Sequence, residues 1–333
     1  MPCFCRWHAA PQGATMNEQA PKRTADLARA MVDGALPTDS LPADSGPPWL
    51  TIAEVCALPV YGEGLLSVTS GFATIDGALH GGFRPESLYI IAGRTGAAKS
   101  TLALNIARRA ALEGVCVLVF KLEESPVEAV WRIHAAAAQV NMVRLLDGAK
   151  RATDERQKLI DGWTLIRGLP IRISDQRNID EIERIAKLHT ADGGRLVLID
   201  QLSMIDVPGT AVGYERATEI SGRLRLLARR LRVPIVLVAQ VNRPASKGKE
   251  RLSCTDLRDS GALENDAAAV LLIDRVRAAD VPRWHTDPLT LEILVGKNRY
   301  GRATRDDDSP LELLWWPWCC RIEDAAPPQG GTL

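Results

Sequence analysis

Between residues 87 and 296, short apolar runs alternate with longer amphipathic stretches. The apolar runs are 87-SLYIIAG-93, 115-VCVLVFKL-122, 170-PIRIS-174, 195-RLVLID-200, 234-PIVLVAQ-240, 268-AAVLLID-274 and 289-LTLEILVG-296. Their length and richness in Val, Ile and Leu predict buried strands. Helical spacing predicts helices over 100–113, 125–140, 153–167, 178–191 and 215–232. In the last of these, Leu224, Leu227, Ala228 and Leu231 fall on one face. Near-continuous apolar strands separated by helices mean an α/β fold, a mostly parallel twisted sheet with helices on both faces. The runs 268–274 and 289–296 have no clear helix between them, so that side of the sheet is expected to turn antiparallel.

The flanks differ in character. Residues 1–48 carry prolines at 2, 11, 21, 37, 42, 47 and 48. They read as a disordered or linker segment with one possible short helix at 22–35. Residues 49–325 read as the folded domain and 326-APPQGGTL-333 as a tail. Met16 is a possible alternative start.

With 333 residues and 46% hydrophobic positions, the chain can bury a sizeable core. No apolar run approaches the ~18 residues that span a bilayer, and no apolar segment precedes a small-residue cleavage site. The 41 basic and 41 acidic side chains cancel, so any contact with nucleic acid must rest on local basic patches. The 7 cysteines include no CxxC pair, and Cys3, Cys5 and His8 lack a second half for a metal site. Free thiols in a reducing cytoplasm are the expectation.

The segment 93-GRTGAAKST-101 follows a strand and opens a helix. That is the setting of a phosphate-binding loop, in which backbone N–H groups and a helix N-terminus face the phosphates. Gly93, Arg94, Thr95, Gly96, Ala97, Ala98, Lys99, Ser100 and Thr101 form the candidate nucleotide contacts. Lys99 would reach the β- and γ-phosphates, and Ser100 would hold Mg²⁺. The G-x-x-x-x-G-K-[ST] pattern is broken at Ala98, where a glycine is expected. Asp200 ends an apolar strand and is the second candidate Mg²⁺ ligand. Glu123 ends the strand after the first helix and is the candidate base for water attack, with Glu124 competing. Neither Lys99 nor Glu123 is expected in the core.

Two further segments carry charge or aromatics. The loop 243-RPASKGKER-251 sets Arg243, Lys247, Lys249 and Arg251 against Glu250 alone, and would track phosphates without stacking on bases. Trp315, Trp316 and Trp318 lie beside apolar neighbours in 311-LELLWW-316, which favours packing over a base-stacking platform.

In this order, the motifs resemble the motor domain of DnaB-type replicative helicases, a branch of the RecA-like ATPases. The resemblance runs through 70-SGFATIDGALHGGFRPESLYIIAGRTGAAKSTLALNIA-107, 119-VFKLEES-125, 198-LIDQLSMI-205, 214-YERATEISGRLRLLARRLRVPIVLVAQVNR-243, 256-DLRDSGALENDAAAVLLIDR-275 and 296-GKNRYG-301. It implies a RecA-like P-loop NTPase core that uses ATP and Mg²⁺. It implies Glu123 as the catalytic glutamate and Gln240 as the sensor of the γ-phosphate. Arg258, Asp259 and Gly261 fall where the family meets single-stranded DNA. Lys297 and Arg299 fall where the family reaches the neighbouring subunit's nucleotide, and such residues in trans require an oligomer, a hexameric ring in this family. A loader or primase would be a partner. The family's N-terminal helical domain has no counterpart in residues 1–48. Two other readings stay open: a RecA-like recombination or repair ATPase, and a nucleotide- and DNA-binding accessory protein in which Ala98 has silenced hydrolysis.

Overall fold

The computed structural model describes residues 52, 67–147, 153–209, 213–241, 251–257, 260–277, 287–305 and 308–325. The chain divides into two units, Met1–Leu65 and Leu66–Leu333, and all the described strands belong to the second. The expected linker, the 22–35 helix and the 326–333 tail lie outside the described residues.

The elements run α1 (Ala73–Ala78), β1 (Leu88–Gly93), α2 (Lys99–Leu112), β2 (Val117–Lys121), α3 (Pro126–Ala138), α4 (Met142–Asp147), α5 (Thr153–Ile166), β3 (Ile171–Ser174), α6 (Ile179–Ala191) and β4 (Leu196–Asp200). They continue with α7 (Tyr214–Leu231), β5 (Ile235–Gln240), α8 (Ser260–Asp266), β6 (Ala269–Arg277), β7 (Leu289–Asn298), β8 (Leu311–Trp316) and β9 (Arg321–Asp324). Among the described residues these strands form one 9-stranded sheet in the order β3-β2-β4-β5-β1-β6-β7-β8-β9. Strands β3 through β6 in that order are parallel, and β7, β8 and β9 add antiparallel.

Every residue of β1, β2 and β4 is buried, because helices cover both faces. Alternate residues serve the two sides. Tyr89, Ile91, Val117, Val119 and Leu198 share a core with Leu102, Ile106 and Ala110 of α2 and Ile133 of α3. Leu88, Ile90, Leu118, Phe120 and Ile199 pack against Ile182 of α6 and Leu224, Leu227, Ala228 and Leu231 of α7. The predicted apolar face of α7 is therefore the buried one. Its arginines turn outward or pair with acids: Arg223 with Asp180 and Glu183, Arg225 with Asp266.

The antiparallel turn between β6 and β7 matches the missing helix in the sequence. Strands β8 and β9 were not among the predicted elements. β9 has only Ile322 buried, so no apolar run marks it.

The topology gathers strand ends. Gly93 lies beside Gln240 in the β1–β5 register, and Lys121 beside Asp200 in the β2–β4 register. Four C-terminal strand ends thus meet at one edge of the sheet, where open parallel sheets bind ligands.

Candidate active site

The 93–101 loop leaves β1 against β6. A Cβ at Gly93 would stand 3.0 Å from the Ile273 carbonyl oxygen, so a larger residue would have to push β6 back by a few tenths of an ångström. The loop then closes onto α2 through Ala98, the helix N-cap, at φ 61° and ψ 17°. That left-handed conformation costs a non-glycine residue about 1–2 kcal/mol, and it explains why the motif asks for glycine here. Ala98→Gly is therefore expected to raise stability by about 1 kcal/mol, after allowing for the freer unfolded chain. A thermal melt checks this, and an unchanged or lower midpoint would show that the loop has relaxed around alanine.

No side chain caps α2, and its first turn holds no acidic residue. Its leading N–H groups and positive dipole end are left to an anion. Lys99 donates from Nζ to the Arg94 carbonyl oxygen at 2.9 Å, across the mouth of the loop. Contrary to the sequence expectation it is buried, at 7% exposure, because it opens a helix that is itself packed under the sheet edge. Burial lowers its ammonium below the ordinary lysine range, while Asp200 and Glu123 pull it back up.

Asp200 closes β4 at 1% exposure. Its Oδ1 accepts from Ser100 Oγ at 3.1 Å, and its Oδ2 faces Lys121 Nζ at 2.5 Å. Ser100 and Asp200 thus bring two hard oxygen donors together at the loop. Among the described residues no group of three His, Cys, Asp or Glu could hold a metal ion. A cation at Ser100 and Asp200 would complete its shell with water and phosphate oxygens, the usual pattern for Mg²⁺, so the donor set fits.

The two glutamates separate cleanly. Glu124 lies 2.6 Å from Arg132 and 3.3 Å from Lys121, and is committed to those cations. Glu123 is exposed and accepts from Gln201 Nε2 at 3.0 Å. Gln240, at the end of β5, donates from Nε2 to Gln201 Oε1 at 3.2 Å. Lys99, Ser100, Glu123, Asp200 and Gln240 therefore share one edge. Lys121 and Gln201 were missed in the sequence. The only signals were a charged residue inside the apolar run 115–122 and a polar residue next to Asp200.

Lys297 and Arg299 lie elsewhere, at the exit of β7. Lys297 Nζ donates to the carbonyl oxygens of Glu264 and, at 3.2 Å, Asn265; Arg299 reaches the latter at 3.5 Å. Both cations sit at the C-terminal end of α8, where the helix dipole favours positive charge. Burial and the neighbouring Arg299 lower the Lys297 ammonium. Gly261 occupies the exposed first turn of the same helix. Arg258, Asp259, Lys247 and Lys249 fall outside the described residues. Trp315 packs against the core, and Trp316 lies 5.6 Å from the Arg321 guanidinium.

Residues 67–307 match the family described as DnaB-like helicase C terminal domain. A replicative DNA helicase DnaB of Pasteurella multocida is 30% identical over 251 residues, covering 73% of this chain and 53% of the relative. One of Leifsonia xyli subsp. xyli is 33% identical over 268 residues, covering 76% and 56%. The chain spans about half the length of the curated relatives it matches. Among solved structures, an isolated ATPase domain superposes with a TM-score of 0.72 at 23% identity, covering 85% of this chain and all of that one. A DnaB-like replicative helicase studied with primase gives 0.70 at 20%, covering 92% and 75%. The fold is thus RecA-like, and the chain belongs to the DnaB-like helicase C-terminal domain family.

Proposed function

We propose that the chain is the motor of a replicative-type DNA helicase, hydrolysing ATP with Mg²⁺ between subunits to move on single-stranded DNA. The observation that carries this reading is the meeting of Lys99, Ser100, Asp200, Glu123 and Gln240 at one sheet edge behind an uncapped helix N-terminus.

The chemistry follows from where charge develops. Lys99 and the first-turn amides of α2 bind the β- and γ-phosphates. Ser100 and Asp200 would hold Mg²⁺, which would supply positive charge against the phosphate oxygens. Glu123 orients the attacking water and takes its proton, and Gln240 donates a hydrogen bond to the γ-phosphate. Lys297 and Arg299 act on the nucleotide of the adjacent subunit, so the active form is a homo-oligomer, a hexameric ring. A loader or primase is a partner of that ring. The cytoplasm is the proposed compartment; no described helix is long and apolar enough to cross a membrane. Residues 1–48 serve as linker, 49–325 as motor and 326–333 as tail.

Ala98 supports one second reading, a nucleotide- and DNA-binding protein that does not turn over, because its left-handed backbone strains the loop. Strand displacement tests the helicase reading. Forked duplex DNA is expected to separate with ATP and to stay paired with ADP, and a duplex that stays paired with both would overturn it.

Arg258, Asp259, Gly261, Lys247 and Lys249 are the proposed DNA contacts. Arg258→Ala, or neutralisation of Lys247 and Lys249, is expected to weaken single-strand binding with little regard to sequence. Each lost phosphate contact flattens the log–log salt slope by about 0.7. Titrations at several salt concentrations check this, and an unchanged slope in both variants would remove these segments from the DNA path.

A further inference from the structure

Gln201 is 3% exposed, and the two hydrogen bonds of its side chain among the described residues both go to other side chains. Its Nε2 donates to Glu123 Oε2 at 3.0 Å, and its Oε1 accepts from Gln240 Nε2 at 3.2 Å. Side chain to side chain bonds make up only about 10–15% of protein hydrogen bonds, so two in series through one buried amide is an uncommon arrangement. They join the candidate base at the end of β2 to the candidate γ-phosphate sensor at the end of β5.

The direction of the chain is fixed by chemistry. An ionised carboxylate only accepts, so Gln201 must turn its NH₂ to Glu123. Its carbonyl oxygen then faces Gln240, which must donate. The Gln240 NH₂ keeps a second hydrogen, which has no partner among the described residues and can turn to a phosphate oxygen. The primary amide of Gln201 donates at one end and accepts at the other across this gap. Leucine offers neither function, and glutamate would set a second carboxylate against Glu123.

We propose that Gln201 is a positioning residue that couples γ-phosphate sensing by Gln240 to the placement of Glu123. A phosphate oxygen that draws the Gln240 amide moves the acceptor end of the relay, and the donor end moves Glu123 with it. Gln201 itself touches neither the phosphate nor the water. The inference rests on the hydrolytic reading above.

The test is steady-state ATP hydrolysis by wild type, Gln201→Leu, Gln240→Leu and the double variant, with Kd for a fluorescent ATP analogue and a thermal melt for each. Gln201→Leu is expected to lower kcat about 100-fold, the cost of misplacing a catalytic group by about 1 Å. KM and the analogue Kd are expected to stay within about threefold of wild type, since uniform binding is untouched. The double variant is expected to be no slower than the slower single, because both substitutions cut one relay. Gln201→Glu keeps size and polarity, and is expected to lose kcat as the leucine variant does. Wild-type kcat in either Gln201 variant, multiplicative losses in the double variant, or a KM that rises as much as kcat falls would each overturn the relay while leaving ATP hydrolysis standing. A wild-type chain that releases no phosphate would overturn the hydrolytic reading and the relay with it.

Discussion

Arg299→Ala is expected to bind ATP as the wild type does and to lose about 10³- to 10⁵-fold in hydrolysis, the range for arginines that act in trans on a transferring phosphoryl group. Arg299 is exposed at the exit of β7, and its one described side-chain hydrogen bond is the 3.5 Å contact to Asn265 at the end of α8. None of its described contacts reaches residues 93–101 of its own chain. A guanidinium held by one long hydrogen bond to a helix carbonyl can turn toward a neighbour at small cost. Lys297, with two carbonyl partners, is the more firmly seated of the pair. Mixing tests the geometry of the claim. Arg299→Ala and Lys99→Ala chains are each expected to be inactive alone, but a mixed oligomer would contain junctions that pair an intact loop with an intact arginine. Activity is expected to return in the mixture. A wild-type rate in Arg299→Ala alone would remove the trans role and the main ground for an oligomer.

Glu123→Gln is expected to keep the fold and ATP binding while turnover falls about 10²- to 10⁴-fold, the usual contribution of a general base. Glutamine preserves size and still accepts from Gln201 Nε2, but cannot take a proton from water. Glu124→Gln is the matched control. Glu124 is held by Arg132 and Lys121, so its loss is expected to show in the melting temperature and to leave turnover of the same order. Single-turnover phosphate release with each variant separates the two. A Glu123→Gln chain with near-normal turnover, beside an inactive Glu124→Gln chain, would exchange their roles.

Much of the layout was legible because burial on both faces leaves a plain mark. A run such as 195-RLVLID-200 has no polar alternation to confuse it, and it became β4 with Asp200 at its end. The predicted helix at 215–232 became α7 with the same buried leucines. Elements with weak marks were missed. Strand β9 is four residues with one buried side chain, and α8 is a helix of 7 residues, too short for helical spacing to mark it. The 93–101 loop was legible as a motif, but the conformation of Ala98 was not, since a motif records a residue type and not a dihedral angle. Lys121 and Gln201 were beyond reach for another reason. Their importance lies in distances to Asp200, Glu123 and Gln240, and those distances exist only once β2, β4 and β5 lie side by side.

The most direct measurement is phosphate release from Mg²⁺–ATP by the wild-type chain, with and without single-stranded DNA. Release that rises when single-stranded DNA is added is the expected result. ATP binding with no release in either condition would contradict an ATP-driven motor and leave a nucleotide-binding protein silenced at Ala98.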